Sequence, residues 1–180
     1  MRQFVRDEGI VIKKRGSFKE NRIVTIISKQ NGKLNLMGYG VRNLLSRRIS
    51  HLETGNYISF TYYRNNNHSV LHETNLMFGY SKIKKSESKL SLLFQLFFIL
   101  DRMIVENQQE ELIFDKTTNF LKKLNNRMHF GMSDFNKYLC DLLLHSGFID
   151  KKRILDGDFN PQSFIEELFG YKIKWAFASA

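Results

Sequence analysis

The feature that most constrains this chain is a single change in the period of its apolar residues. Up to about residue 80 they fall in short runs rich in Ile, Val, Tyr, Phe and Thr, and beyond it they recur every three or four positions. The early runs are Gly9 to Arg15, Arg22 to Lys29, Lys33 to Tyr39, Asn56 to Arg64 and Ser69 to Tyr80, and they read as five strands. Gly16, Asn31-Gly32, Gly55 and Asn65 to Asn67 punctuate them, and Asn31-Gly32 is the sharpest hairpin signal because both residue types tolerate positive φ. Five strands in some 80 residues are too few for a large sandwich. They suffice for a small closed barrel, with residues 41–54 as a short helix or loop between the third and fourth strands, which is the order of an OB barrel.

The helical spacing begins at Ser86 or Ser88, either of which suits an N-cap, and runs through Lys89, Leu90, Leu93, Phe94, Phe97, Leu100, Ile104 and Val105. The stretch from 90 to 100 is apolar almost all round and reads as the central helix of a packed domain. Its eleven residues are too few to span a bilayer. Glu110 to Asn126 forms a second helix through Leu112, Ile113, Phe120, Leu121 and Leu124. Ser133 or Asp134 caps a third, carrying Phe135, Tyr138, Leu139, Leu142 and Leu143 and stopping near Gly147, and Pro161 opens a fourth. The expected fold class is therefore α+β: a five-stranded OB-fold barrel over residues 1–81, then an all-helical domain over 82–180, with Lys82 to Ser88 as linker.

Charge divides at the same place. The whole chain carries +10, but residues 1–85 hold 16 Lys and Arg against 5 Asp and Glu, a net of +11, and the remainder stands at −1. A positive excess confined to one module argues for a polyanion-binding surface more than for general solubility. Lys13, Lys14 and Arg15 end the first strand, Arg22 begins the second, Lys33 begins the third, and Arg42, Arg47 and Arg48 follow it. Antiparallel connections bring several of these strand ends to one rim, where phosphates are met together. Tyr39, Tyr57, Phe60, Tyr62 and Tyr63 supply rings for base stacking or for the barrel core.

Catalytic chemistry has little support. His51, His68, His72, His129 and His145 form no zinc-binding motif, and a pair four apart on a strand, such as His68 and His72, is separated by roughly 13 Å. Cys140, the single cysteine, lies in an apolar helical pattern and reads as a buried structural thiol; it excludes internal disulfides and cysteine-cluster zinc sites in this chain. Gly38 and Gly40 lack the lysine and hydroxyl residue of a phosphate loop and suit a turn. The opening residues have no uninterrupted apolar segment and no small-residue cleavage site, which argues against a signal peptide. The expectation is a non-enzymatic protein without cofactor, metal or membrane span.

The order of strand, turn and basic loop resembles the bacterial RecO recombination mediators. The resemblance lies in Glu8 to Arg15 (EGIVIKKR), Asn21 to Ile26 (NRIVTI), the turn at Gly32-Lys33 and the step from Gly40-Val41-Arg42 into a basic connector, with SVLHETNLMFGY similar to that family's last barrel strand. It implies an N-terminal OB domain and a helical C-terminal domain. It further implies binding of single- and double-stranded DNA, ATP-independent annealing, and work with RecR and single-stranded DNA-binding protein in the cytoplasm at the nucleoid. Lys13, Lys14, Arg15, Arg22, Lys33, Arg42, Arg47 and Arg48 become the implied DNA-contacting group. Lys122, Lys123 and Arg127, beside Leu121 and Leu124, are the candidate dock for the acidic, hydrophobic tail of single-stranded DNA-binding protein. Many members carry a four-cysteine zinc module; with Cys140 alone, this chain resembles a compact member without it. An OB-type RNA-binding or ribosome-associated protein and a protein-interaction scaffold are the alternatives.

Overall fold

The computed structural model describes residues 3–16, 21–41, 48–65, 68–128, 130–155 and 157–175. Five strands, β1 (Phe4–Gly16), β2 (Arg22–Ser28), β3 (Gly32–Gly38), β4 (Tyr57–Asn65) and β5 (His68–Phe78), form a closed barrel in the order β1-β2-β3-β5-β4. Every pairing is antiparallel except β3 with β5, the parallel contact that closes the ring. This is the expected OB-type order, with α1 (Arg48–His51) between β3 and β4.

β1 serves two neighbours, pairing with β4 from Phe4 to Ile10 and with β2 from Gly9 to Gly16. The bend between these halves brings Gly9 against β2, where an added Cβ would stand 2.4 Å from Ile26 Cγ2 and 2.7 Å from the Ile27 carbonyl oxygen. Only glycine fits there. Past the bend, a register shift between Val11 and Lys13 changes which face of β1 looks inward. Val11 joins Val24, Ile26, Leu34, Leu36, Ile58, Phe60, Tyr62 and Leu71 in the barrel core, while Ile10 and Ile12 join the core of the helical half.

β1 begins five residues earlier than the expected Gly9. The charged run Arg6-Asp7-Glu8 masks its alternation, yet Val5 packs on the barrel core and Asp7 is buried. Asp7 is fully occupied: its carboxylate accepts from the Ser28 hydroxyl at 2.6 Å, the Asn31 side-chain amide at 2.7 Å and the backbone N–H groups of Glu8 and Gln30 at 2.7 and 3.3 Å. Those bonds hold the β2–β3 turn, and Gly32 takes the left-handed φ of 66° after it.

The second half contains α2 (Ser81–Lys84), α3 (Glu87–Met103), α4 (Glu111–Asn126), α5 (Met132–His145), α6 (Lys151–Leu155) and α7 (Pro161–Phe169). The segment expected to be a linker holds α2, whose Ile83 is fully buried, and Ser86 at the N-cap position of α3. α3 is the central helix, burying Leu92, Leu93, Leu96, Phe97, Ile99 and Leu100. Phe94, Val105 and Leu112, expected on apolar faces, are exposed. α7 starts as its sequence dictates: Asn160 Oδ1 accepts from the N–H groups of Gln162 and Ser163, and Pro161 occupies the first turn.

The halves meet on the outer face of β1–β3. Ile10, Ile12 and Ile27 are buried with the helical core. Asp101, near the end of α3, takes the Lys13 ammonium at 2.6 Å and lies 3.7 Å from that of Lys33, which also donates to the Asp101 carbonyl. Beyond α3 the chain runs beside β3: the Asn107 N–H donates to the Lys33 carbonyl at 3.0 Å and the Asn35 amide donates to Glu106. A Cβ on Gly32 would fall within 1.7 Å of the Gln108 carbonyl oxygen, so the approach requires glycine for its lack of a side chain as well as its φ.

Candidate nucleic-acid interface

The eight cations marked out in the sequence do not form one row. Lys13 and Lys33 follow the outward face of the barrel into its junction with α3, and Lys33 is buried there. Their charge is met by Asp101. Lys14 and Arg22 lie one step away on the other parity and come together in a cleft of about 220 Å³ at the barrel end beside α1, with Val24, Val41, Ile49, Leu52 and Glu53. Arg15 is exposed on the outer face, with its guanidinium 3.5 Å from Asn35 Oδ1. Arg48 starts α1. Arg42 and Arg47 lie outside the described residues.

The cleft has an electrostatic character of its own. Partial burial of the Lys14 ammonium pushes its pKa below the ordinary lysine value; Glu53 opposes that shift, and the neighbouring Arg22 and Lys84 reinforce it. Lys84 is itself held by Glu53 at 3.0 Å and by Asn56. Cations that repel one another in a partly desolvated recess make a setting in which an incoming anion relieves the repulsion.

The rings sort by strand parity. Phe60 and Tyr62 fill the barrel core. Tyr57 faces the helices, packing on Phe114 and donating to the Glu8 carboxylate at 2.6 Å; burial first, then that hydrogen bond, push its hydroxyl pKa well up. Tyr39 is exposed, and the half-buried Tyr63 packs with Phe4 and His72 across three adjacent strands. Phe4 and His72 escape a reading of strand runs because one stands ahead of a charged stretch and the other sits at the bulge opposite Thr61 and Tyr62.

The other histidines have local roles: His51 meets Thr74, His68 lies 3.4 Å from the Tyr39 hydroxyl, and His145 contacts the Asp141 carbonyl. His129 lies outside the described residues. Burial and then Asp141 push the Cys140 thiol pKa up. Among the described residues no group of three or more His, Cys, Asp or Glu is placed to hold a metal ion, and no helix is long and apolar enough to cross a membrane.

On the helical half, Lys123 and Arg127 border a cleft of about 260 Å³ between α4 and α5. Phe120, Phe130 and Tyr138 supply its apolar wall, and Lys116 and Lys137 add two cations that the sequence reading did not select. Asp134 takes Arg127 at 3.0 Å and Asp141 takes Lys116 at 3.4 Å. Lys122 is exposed and does not line the cleft.

Comparison with known proteins covers the barrel and reaches beyond it. The DNA repair protein RecO of Acetivibrio thermocellus is 23% identical over 122 residues, which is 68% of this chain and 49% of that protein. The chain thus spans about half the length of the curated relative it matches. Residues 1–80 match the family model described as Recombination protein O N terminal, a span that ends just past β5 and takes in the whole barrel.

Proposed function

We propose that this chain is a non-catalytic DNA-binding mediator of recombinational repair, which binds single- and double-stranded DNA through the barrel and promotes annealing without ATP. One observation carries the reading: the barrel, similar throughout to the RecO N-terminal domain over residues 1–80, holds 13 Lys and Arg against 5 Asp and Glu there, a net of +8. The mechanism is charge neutralisation. Phosphate contacts from Lys14, Arg15, Arg22 and Arg48, with Arg42 and Arg47, lower the repulsion between strands, and Watson–Crick pairing supplies the sequence match. Lys13 and Lys33 stabilise the junction with α3 as well, so their removal is a poor test of DNA contact.

The helical half serves partner docking in this reading. The cleft bordered by Lys123 and Arg127, apolar inside and cationic at its edge, suits the acidic, hydrophobic tail of single-stranded DNA-binding protein, and RecR is the second partner. The setting is the cytoplasm, at the nucleoid.

The test is annealing of complementary oligonucleotides by purified protein, without ATP or added metal, over a salt series. Replacing Lys14, Arg15, Arg22 and Arg48 with Ala should abolish annealing at moderate salt and flatten the log–log salt slope of single-strand binding by about three, at roughly 0.7 per contact. The Lys122, Lys123 and Arg127 to Ala variant should anneal normally and lose the tail peptide. Normal annealing by the barrel variant sinks the proposed face.

A further inference from the structure

Phe4, Tyr63 and His72 form a cluster of rings on the outside of a cationic barrel. Phe4 lies 5.4 Å from Tyr63, edge to face, and 4.8 Å from His72, tilted, and Tyr63 and His72 are 6.4 Å apart. β1, β4 and β5 contribute one ring each, and the pairing of Phe4 with Tyr63 sets the register. The neighbours hold Phe4 from the side, yet 50% of it remains exposed. Arg48 extends the arrangement. Its two terminal nitrogens donate to the Tyr39 carbonyl at 2.9 Å and the His72 carbonyl at 3.3 Å, so one guanidinium joins the backbone at His72 to the backbone at Tyr39, whose side chain is 46% exposed. Arg64 follows Tyr63 on β4, and Glu73 is the acid beside His72.

Single exposed apolar residues need no explanation, but rings braced against one another with half of Phe4 left open, beside the fixed guanidinium of Arg48, fit one class of ligand. An unpaired base offers a flat π surface to the open ring and a phosphate to the cations, and such stacking is indifferent to sequence.

We propose that Phe4, braced by Tyr63 and His72 and linked through Arg48 to Tyr39, is a base-stacking platform for unpaired bases of single-stranded DNA. It rests on the reading of the barrel as a DNA-binding module and adds to it a contact that charge does not provide. The platform supplies a salt-independent part of affinity and a preference for strands whose bases are unstacked.

The experiment compares binding of dT20 with that of an abasic 20-mer of the same backbone charge, for the unaltered protein and for Phe4→Ala, Phe4→Leu and Phe4→Trp. Phe4→Ala and Phe4→Leu should weaken dT20 binding roughly five- to hundredfold, leaving abasic binding and both salt slopes unchanged. Phe4→Leu keeps apolar bulk on the strand, so its loss of affinity marks the flat ring and not the fold. Phe4→Trp should retain affinity, and its added fluorescence should be quenched by dT20 and not by the abasic strand. If dT20 and abasic binding fall together, or neither falls, the platform is overturned while the cationic interface stands. If the unaltered protein binds neither strand, the DNA-binding reading fails and the platform with it.

Discussion

The barrel and the helical half obtain their cores differently. Val11, Val24, Ile26, Leu34, Leu36, Ile58, Phe60, Tyr62 and Leu71 form a cluster drawn from barrel strands, closed at one end by Val41 and Leu52. Leu92, Leu96, Phe97, Leu121, Phe135 and Leu139 belong to a second cluster that also contains Ile10, Ile12 and Ile27 from β1 and β2. A barrel strand has two faces, and β1 buries both: Val11 turns inward and Ile10 and Ile12 turn to the helices. The change in apolar period near residue 80 therefore marks a change of local structure without marking a boundary between independent cores. The helices depend on the barrel for part of their apolar floor, and the barrel needs the helices to cover Ile10, Ile12 and Ile27.

The largest expected effects test this dependence. Phe60→Ala in the barrel core and Phe135→Ala in the helical core should each cost about 3–5 kcal/mol, because both rings are fully enclosed and each truncation leaves a cavity. Trp175, whose ring centre lies 6.4 Å from that of Phe135, reports on the helical half. Because the cores share β1 and β2, Phe60→Ala should lower the urea midpoint seen by Trp175 fluorescence as much as that seen by circular dichroism. A Trp175 transition that stays in place while the barrel signal moves would separate the two halves and break the comparison.

Strand order, the barrel and the four main helices were legible because apolar period reports burial on one face, and each half keeps its own period. What escaped was set by contacts between distant residues. Asp7 reads as part of a solvated charged run, but Ser28 and Asn31 enclose it in a turn more than twenty residues away. Lys13 and Lys33 read as members of a phosphate-binding row, and only the docking of α3 shows that Asp101 meets them. Net charge by segment survives such pairings, whereas the role of a single cation does not. The aromatic cluster is illegible for a related reason: Phe4, Tyr63 and His72 are brought together by register, and the bulge at Thr61 and Tyr62 shifts β5 just where His72 falls.

Next in size is Asp101. Its removal leaves Lys33, with a side chain 11% exposed, without its carboxylate, and Lys13, 43% exposed, with ready access to water. Asp101→Ala should cost about 3 kcal/mol, the lower end for an unpaired buried charge, since Lys33 still donates to the residue 101 carbonyl. Lys13→Ala should cost at most about 1 kcal/mol. Adding Lys33→Met to Asp101→Ala should restore much of the loss, as an apolar side chain of similar length needs no counter-charge. Equal urea midpoints for Asp101→Ala and Lys13→Ala would mean that the junction is held at the exposed pair, and the buried one contributes nothing.

The smallest effect belongs to α7, the last helix described. Asn160 accepts from the N–H groups of Gln162 and Ser163 at 2.9 and 3.2 Å, which satisfies two donors at the start of α7 that have no partner within the helix. Asn160→Ala removes both bonds and should cost about 1 kcal/mol; Asn160→Asp, which keeps the acceptor and adds a charge favourable at a helix N-terminus, should cost nothing. Ile165 and the packing of Phe98 on Phe169 join α7 to the helical core, so the loss should appear in the same transition that Trp175 reports. Exchange of the α7 amides at a rate set by global unfolding would confirm that coupling. Faster exchange in Asn160→Ala with an unchanged midpoint would show instead that α7 opens by itself, and the shared core would then end at α5.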